Sequence, residues 1–189
     1  MTGKRLVVGC LLLCSSFALA ADMTEEEKQE LRGEIDAQAQ EVLDELYELT
    51  HGAKKHIENA AGYAVFSNFG LKIFVAGTGT GRGVAHNNET GKRTYMKMLE
   101  LQAGIGFGIK KFKLIWVFLD SAGIEKFADA GWEFGAQATA AAAAGDKGGS
   151  TQGAMPVSPG VWLYQLTGNG LAIELTAKST RYYQNDDLN

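Results

Sequence analysis

The spacing of apolar positions changes once along this chain and divides it into two parts. Leu31, Ile35, Val42, Leu46, Leu49 and Ala53 recur at helical intervals, which predicts one long amphipathic helix with an apolar stripe and a charged opposite face. Thr24-Glu25-Glu26-Glu27 stands at its start. This is the pattern of a capping box, in which Thr24 accepts from the first turn and Glu27 reaches back. Gly52 is positioned to end the helix, and a shorter helix over Lys54 to Ala61 would stop at Gly62.

From Tyr63 onward the period becomes two. The runs YAVFSN, LKIFVAGTGTGRGVAH, RTYMKMLELQAGIGFGI, FKLIWVFLD, GVWLYQL and LAIELTAKSTRYY all alternate as strands do. Asn87 to Gly91 reads as a connecting turn, and Thr167-Gly168-Asn169-Gly170 as a sharper one suited to positive φ. Ser121 to Ala130 fits a short helix with Ile124, Phe127 and Ala128 on one side. Residues 145–160, rich in glycine and serine, show no periodic apolar signal and predict a mobile loop. Residues 138–144 stay open between strand and helix: alanine favours helix, whereas the preceding alternation of Trp132, Phe134 and Ala136 favours strand.

Glycines at 77, 79, 81 and 83, and again at 104, 106 and 108, are spaced by two. A phosphate-binding loop needs its glycines at other offsets, between a strand and a helix; here another strand follows, so a nucleotide site is excluded. In an extended chain each set lies on one face. The first is expected to share that face with Leu71, Ile73 and Val75, opposite Thr78, Thr80 and Arg82. Glycine weakens a strand, so such strips imply close packing against a neighbour, a sharp bend of the sheet, or the floor of a groove for an acyl chain. The expectation is an α+β fold: N-terminal amphipathic helices packed on a curved, mostly antiparallel, barrel-like sheet with glycine-rich strands.

The first twenty residues change the compartment. Lys4 and Arg5 precede a mostly apolar run, and Ala18-Leu19-Ala20 supplies small residues before a cut between Ala20 and Ala21. This is the pattern of a cleavable secretory signal, and it predicts a periplasmic or secreted protein. Val7-Val8-Gly9-Cys10 resembles a lipoprotein box, but only three apolar residues separate Arg5 from Gly9, so plain secretion is the favoured reading. Cys10 and Cys14 both fall in the leader, which leaves the remainder without thiols for disulfides, thiolate metal sites or nucleophilic catalysis. Three regions follow: the leader at 1–20, an acidic amphipathic helix at 21–52 and an α+β domain at 53–189.

Charge separates the last two. Residues 22–50 carry eleven acids against Lys28 and Arg32, whereas residues 51–189 carry fourteen bases against eleven acids. No basic stripe interleaved with aromatics appears, which argues against nucleic acid. His51 and His56 are five apart, not the four that aligns two ligands on a helix, and neither His-Glu-x-x-His nor Gly-x-Ser-x-Gly occurs. The residues therefore predict a non-enzymatic protein with neither metal nor cofactor. An outer-membrane barrel, suggested by the alternation in LAIELTAKSTRYY, is disfavoured by the acidic helix and by Lys72 and Phe74 sharing a face.

Five blocks in order, AAGYAVFSNFGLKIFVAGTGTGRGVA, AGIGFGI, LIWVFLDSAGIEKF, WEFGAQATAAAAAG and YQLTGNGLAIEL, resemble the SYLF domain over residues 53–183. That resemblance implies peripheral, phosphoinositide-type lipid binding in eukaryotic members and an exported role in bacterial ones. The expected partner is an anionic phospholipid or membrane surface, with another exported protein as the alternative. From the residues, the candidate contacts are Lys110, Lys111 and Lys113 around Phe112, which would insert among headgroups, with a second cluster of Lys54, Lys55, Lys178 and Arg181. Lysine near an anionic leaflet contributes about 1 kcal/mol, so three alone hold a protein only marginally. The other reading of that stretch is a strand turn kept soluble by its lysines.

Overall fold

A computed structural model describes residues 23–73, 76–103, 108–134, 153–168, 170–172 and 179–189. The leader, the cut between Ala20 and Ala21, Val75, Gly104, Gly106, residues 138–144 and Lys178 lie outside them. Helix α1 spans Glu25–Leu49 and α2 spans Ala53–Glu58. Strands β1 (Gly62–Ile73), β2 (Ala76–Asn87), β3 (Arg93–Ala103) and β4 (Gly108–Phe118) follow. Then come α3 (Ser121–Ala130), β5 (Trp132–Phe134), β6 (Met155–Ser158), β7 (Val161–Thr167), β8 (Gly170–Ala172) and β9 (Ser179–Gln184).

The described strands form one sheet in the order β5-β9-β3-β2-β1-β4-β7-β6, with β8 added on β7. Every pairing is antiparallel. The fold is α+β, as expected, and the sheet is curled. Tyr182 on β9 and Trp116 on β4 lie four strands apart in that order, which would separate them by about 19 Å in a flat sheet. Their ring centroids are 5.5 Å apart. Trp132 on β5 is one strand further away, yet its ring lies 5.1 Å from that of Trp116. Only a half-barrel that folds its concave face inward brings these rings together.

The two faces bury separate cores. On the concave face Phe66, Met96, Met98, Phe112, Leu114, Trp116 and Tyr182 pack with Ile124 and Phe127 of α3. On the convex face Val65, Val84, Tyr95, Ile115, Val117, Tyr164 and Leu166 meet Ile35, Val42, Leu43 and Leu46 of α1. Alternate residues of β4 thus supply both cores, which is the period-two pattern of a strand covered on each side. Glu100, 1 % exposed, and Thr180 are polar residues buried on the concave-face register.

Local chemistry sets the helix ends. The Thr24 hydroxyl accepts from the Glu27 amide at 3.2 Å, and the Thr24 amide donates to Glu27 Oε2 at 2.7 Å, completing the capping box. Hydrogen bonds that Thr24 donates to the carboxylate, from its amide foremost and also from its hydroxyl, hold the Glu27 carboxyl below its ordinary value. The Asp120 carboxylate accepts from the Gly123 amide at 2.7 Å and starts α3. Gly131 ends it at φ +70°, a left-handed conformation that glycine adopts without penalty. Helix α2 is shorter than its pattern suggested. The Asn88 side chain donates to the carbonyls of Ile57 and Ala60, at 2.8 and 2.9 Å, diverting the chain into β1.

Three expectations need correction. The run 71–86 is not one strand: the chain reverses between Ile73 and Ala76, and Lys72 pairs with Gly77. The glycine face of β2 is therefore in phase with Phe66 and not with Leu71 and Ile73; Gly83 lies opposite Phe66 on β1 and Met96 on β3. A Cβ on Gly83 would overlap the Val65 carbonyl and sit 2.5 Å from Cδ1 of Phe66. This bare position gives the ring its place on the concave face, whereas α1 covers the convex one. Second, the stretch 145–160 is not all loop, because Met155–Ser158 pairs with β7 and buries Met155 and Val157. Pro156 is compatible with this strand because β6 lies at the sheet edge. Third, Leu49 is 48 % exposed rather than part of the helix's buried stripe.

Candidate membrane-contact site

Leu49 closes α1, and the chain turns through Thr50, His51 and Gly52 into α2. The turn is held by Thr50 N–H donating to the Leu46 carbonyl at 2.9 Å and Ala53 N–H donating to the Thr50 carbonyl at 3.1 Å. Ala53 and Ile57, at 0 % and 2 % exposure, anchor α2 in the convex core. Lys54 and Lys55, away from that anchor on a helix of 3.6 residues per turn, are exposed, as are His51 and Gly52. Lys54 makes a 3.9 Å contact with Glu58, both side chains being more than half exposed. Such a pair contributes about 0–1 kcal/mol and yields readily to another anion. The corner therefore presents one apolar side chain, Leu49, and two cationic ones, with the carboxylates of Glu48 and Glu58 also exposed beside them.

His56 ties this corner to the sheet. Its Nδ1 lies 2.9 Å from the Tyr164 hydroxyl, and its ring meets those of Trp162 and Tyr164 edge-on at 5.8 and 5.9 Å. Burial lowers the His56 pKa below its ordinary value and pushes the Tyr164 hydroxyl up to about 12. Both groups therefore favour their neutral forms, and the contact is a neutral hydrogen bond that orients α2 on β7.

The other predicted residues are dispersed. Phe112 is 5 % exposed and belongs to the concave core. This overturns the expectation that it inserts among headgroups: its strand phase turns it toward Leu114 and Trp116. Lys113, on the opposite phase, donates to a carboxylate oxygen of Glu45 on α1, so it secures the helix. Lys110 and Lys111 occupy β4 positions opposite Gly70 and Phe69 of β1. Arg181 is exposed on β9, four strands from β4 in the sheet order. Curling of the sheet makes the outward faces of those strands diverge. Sequence reasoning missed Leu49 because its spacing matched the core stripe. The neighbouring His51-Gly52 was the available signal, since a helix about to end releases its last turn from the core.

The flank of α1 sets a limit on this surface. Glu26, Glu30, Glu34, Glu41, Asp44 and Glu48 are exposed along it, a field that repels an anionic leaflet. Asp36 is turned to the body instead, accepting from Arg93 at 2.8 Å and from the Tyr95 hydroxyl at 3.1 Å. The corner differs from the length of α1 in carrying Lys54 and Lys55, which offset the exposed carboxylates of Glu48 and Glu58 beside them.

No protein-family model matches the chain. It is 31% identical over 160 residues to a protein of Aeromonas veronii named Beta cell expansion factor A. The match covers 85% of this chain and 59% of that relative, so the chain spans well under two thirds of the relative's length.

Proposed function

We propose that the protein is an exported, non-catalytic SYLF-type domain that binds anionic lipid at a membrane surface, through the α1–α2 corner. The observation that carries this reading is the placement of exposed Leu49, Lys54 and Lys55 within seven residues of an anchored turn. Two lysines near an anionic leaflet contribute at most about 2 kcal/mol, less the repulsion of Glu48 and Glu58 beside them. Leu49 is 48 % exposed, so burying the rest of it among acyl chains adds roughly another 1 kcal/mol. The sum, at most about 3 kcal/mol, gives a weak, reversible attachment well short of permanent anchoring. The ordered SYLF-like blocks support the same reading, and the likeness to a bacterial protein is consistent with it.

A second reading has its own support in the exposed acidic flank of α1, which would suit a basic exported protein as partner. Co-sedimentation with vesicles separates the two. The protein lacking residues 1–20 should pellet with anionic vesicles at low salt and be released at high salt, where screening shortens to about 3 Å at 1 M. Replacing Lys54 and Lys55 by Glu should abolish pelleting. Absence of binding to both anionic and neutral vesicles would refute the lipid reading and leave the protein partner. Binding unaffected by those two changes would move the contact elsewhere.

A further inference from the structure

The half-barrel leaves a seam where its two edge strands approach. Between β5 on one side and the β6–β7 hairpin on the other is a cleft of about 210 Å³. Phe118, Phe127, Trp132 and Val161 supply apolar walls, while Lys126 and Ser158 stand on its lining as polar groups. Protein interiors leave few voids larger than a water molecule, and this space matches about seven waters of bulk liquid. It exceeds the roughly 150 Å³ that accepts a benzene ring. It falls below the roughly 300–1,000 Å³ of ordinary ligand pockets, so its occupant is small.

The walls are ordered by their own packing. Phe127 packs against Phe118 with centroids 5.0 Å apart, and against Trp132 at 6.3 Å with the rings 87° apart. Phe118 and Phe127 are each 2 % exposed, so their rings are fixed by the concave core. An aromatic guest would meet such rings in the edge-to-face arrangements that aromatic pairs prefer. Lys126 is exposed on α3 and, among the described residues, is the one charged side chain lining the cleft. The nearby Asp120 carboxylate is engaged in capping α3 through the Gly123 amide.

We infer that this seam is a binding site for a small aryl carboxylate: one aromatic ring lying in the cleft against the exposed edges of Phe118, Phe127, Trp132 and Val161, with its carboxylate paired to Lys126. The inference is independent of membrane binding, since the seam is built from α3, β5 and β6–β7 and the corner from α1 and α2. Phenylacetate is the probe, followed by amide and indole proton shifts on the isotope-labelled protein. Titration should move the Trp132 indole and the α3 amides saturably, with a dissociation constant on the order of 1 mM for ten heavy atoms. The neutral phenylacetamide should bind about two- to fivefold more weakly, and Lys126→Gln should remove that difference. Lys126 is exposed, so the substitution leaves the fold intact and the comparison clean. Shifts that fail to saturate, that fall outside the seam, or that are equal for acid and amide would overturn the inference. Octanoate binding more tightly than phenylacetate, and independently of Lys126, would also overturn it and make the seam an acyl-chain site.

Discussion

Gly83→Ala tests the packing that gives the half-barrel its shape. In an ordinary strand, alanine in place of glycine is favourable by roughly 0.5–1 kcal/mol, because glycine loses more freedom on folding. Here the added methyl meets the Val65 carbonyl and the ring of Phe66, with Cδ1 at 2.5 Å and Cγ at 2.8 Å. Neither neighbour can retreat. Val65 is backbone in β1, which is held on both sides by β2 and β4. Phe66 is 0 % exposed, and its ring centroid lies 4.8 Å from that of Tyr182. Overpacking of this kind costs typically 1–3 kcal/mol, and a backbone obstacle places this site at the upper end. The net expectation is a loss of about 2 kcal/mol, or roughly 4–8 °C in Tm for a chain of this size. Urea denaturation followed by circular dichroism reads the difference. Gly33→Ala is the control, on an open face of α1 with no atom within 4 Å of the added Cβ, and should gain up to about 1 kcal/mol. A Gly83→Ala protein as stable as the parent would refute the claim that bare backbone makes room for the aromatic core.

Three further outcomes follow from the structure. Burial depresses the His56 pKa below its ordinary 6.5, so the unfolded chain takes up a proton first. Stability should be full above about pH 6.5 and fall as pH drops toward the folded-state value; His56→Gln should flatten that slope in denaturation curves taken from pH 7.5 to 5. Leu188 is 1 % exposed, packs in the convex core, and its carbonyl accepts from Arg32 Nε at 2.8 Å. Leu188→Ala should cost about 2–3 kcal/mol, and a change below 0.5 kcal/mol in urea denaturation would contradict that packing. The Glu45–Lys113 pair is partly exposed, at 36% and 38%, so a double-mutant cycle with alanine should give a coupling of no more than about 1 kcal/mol.

Features governed by neighbours in sequence were legible, while those set by distant partners were not. Thr24 and Glu27 declare the start of α1 because both sides of the capping box lie within one turn. Helix α3 was readable for the same reason, since Ile124, Phe127 and Ala128 recur at helical spacing within Ser121–Ala130. The reversal after Ile73 was hidden because alternation continues through LKIFVAG with no proline or asparagine to mark it. Strand β6 was hidden by glycine and serine around it, although Met155 and Val157 keep the two-residue period. Phe112 looked like an anchor because lysines surround it in sequence; in the strand they fall on alternating faces. Lys54 and Lys55 were visible from the sequence, but their pairing with Leu49 depended on where α1 releases its last turn. The seam could not be read at all, since β5 and β6 come together only when the sheet curls.

Hydrogen exchange of the protein on anionic vesicles, compared with the protein in solution, locates the membrane contact directly. The account predicts slowed exchange over residues 49–58 and unchanged exchange along the acidic flank of α1 and on β9. Slowing spread along α1 or centred on β9, with residues 49–58 unaffected, would contradict the assignment of that corner as the lipid-binding surface.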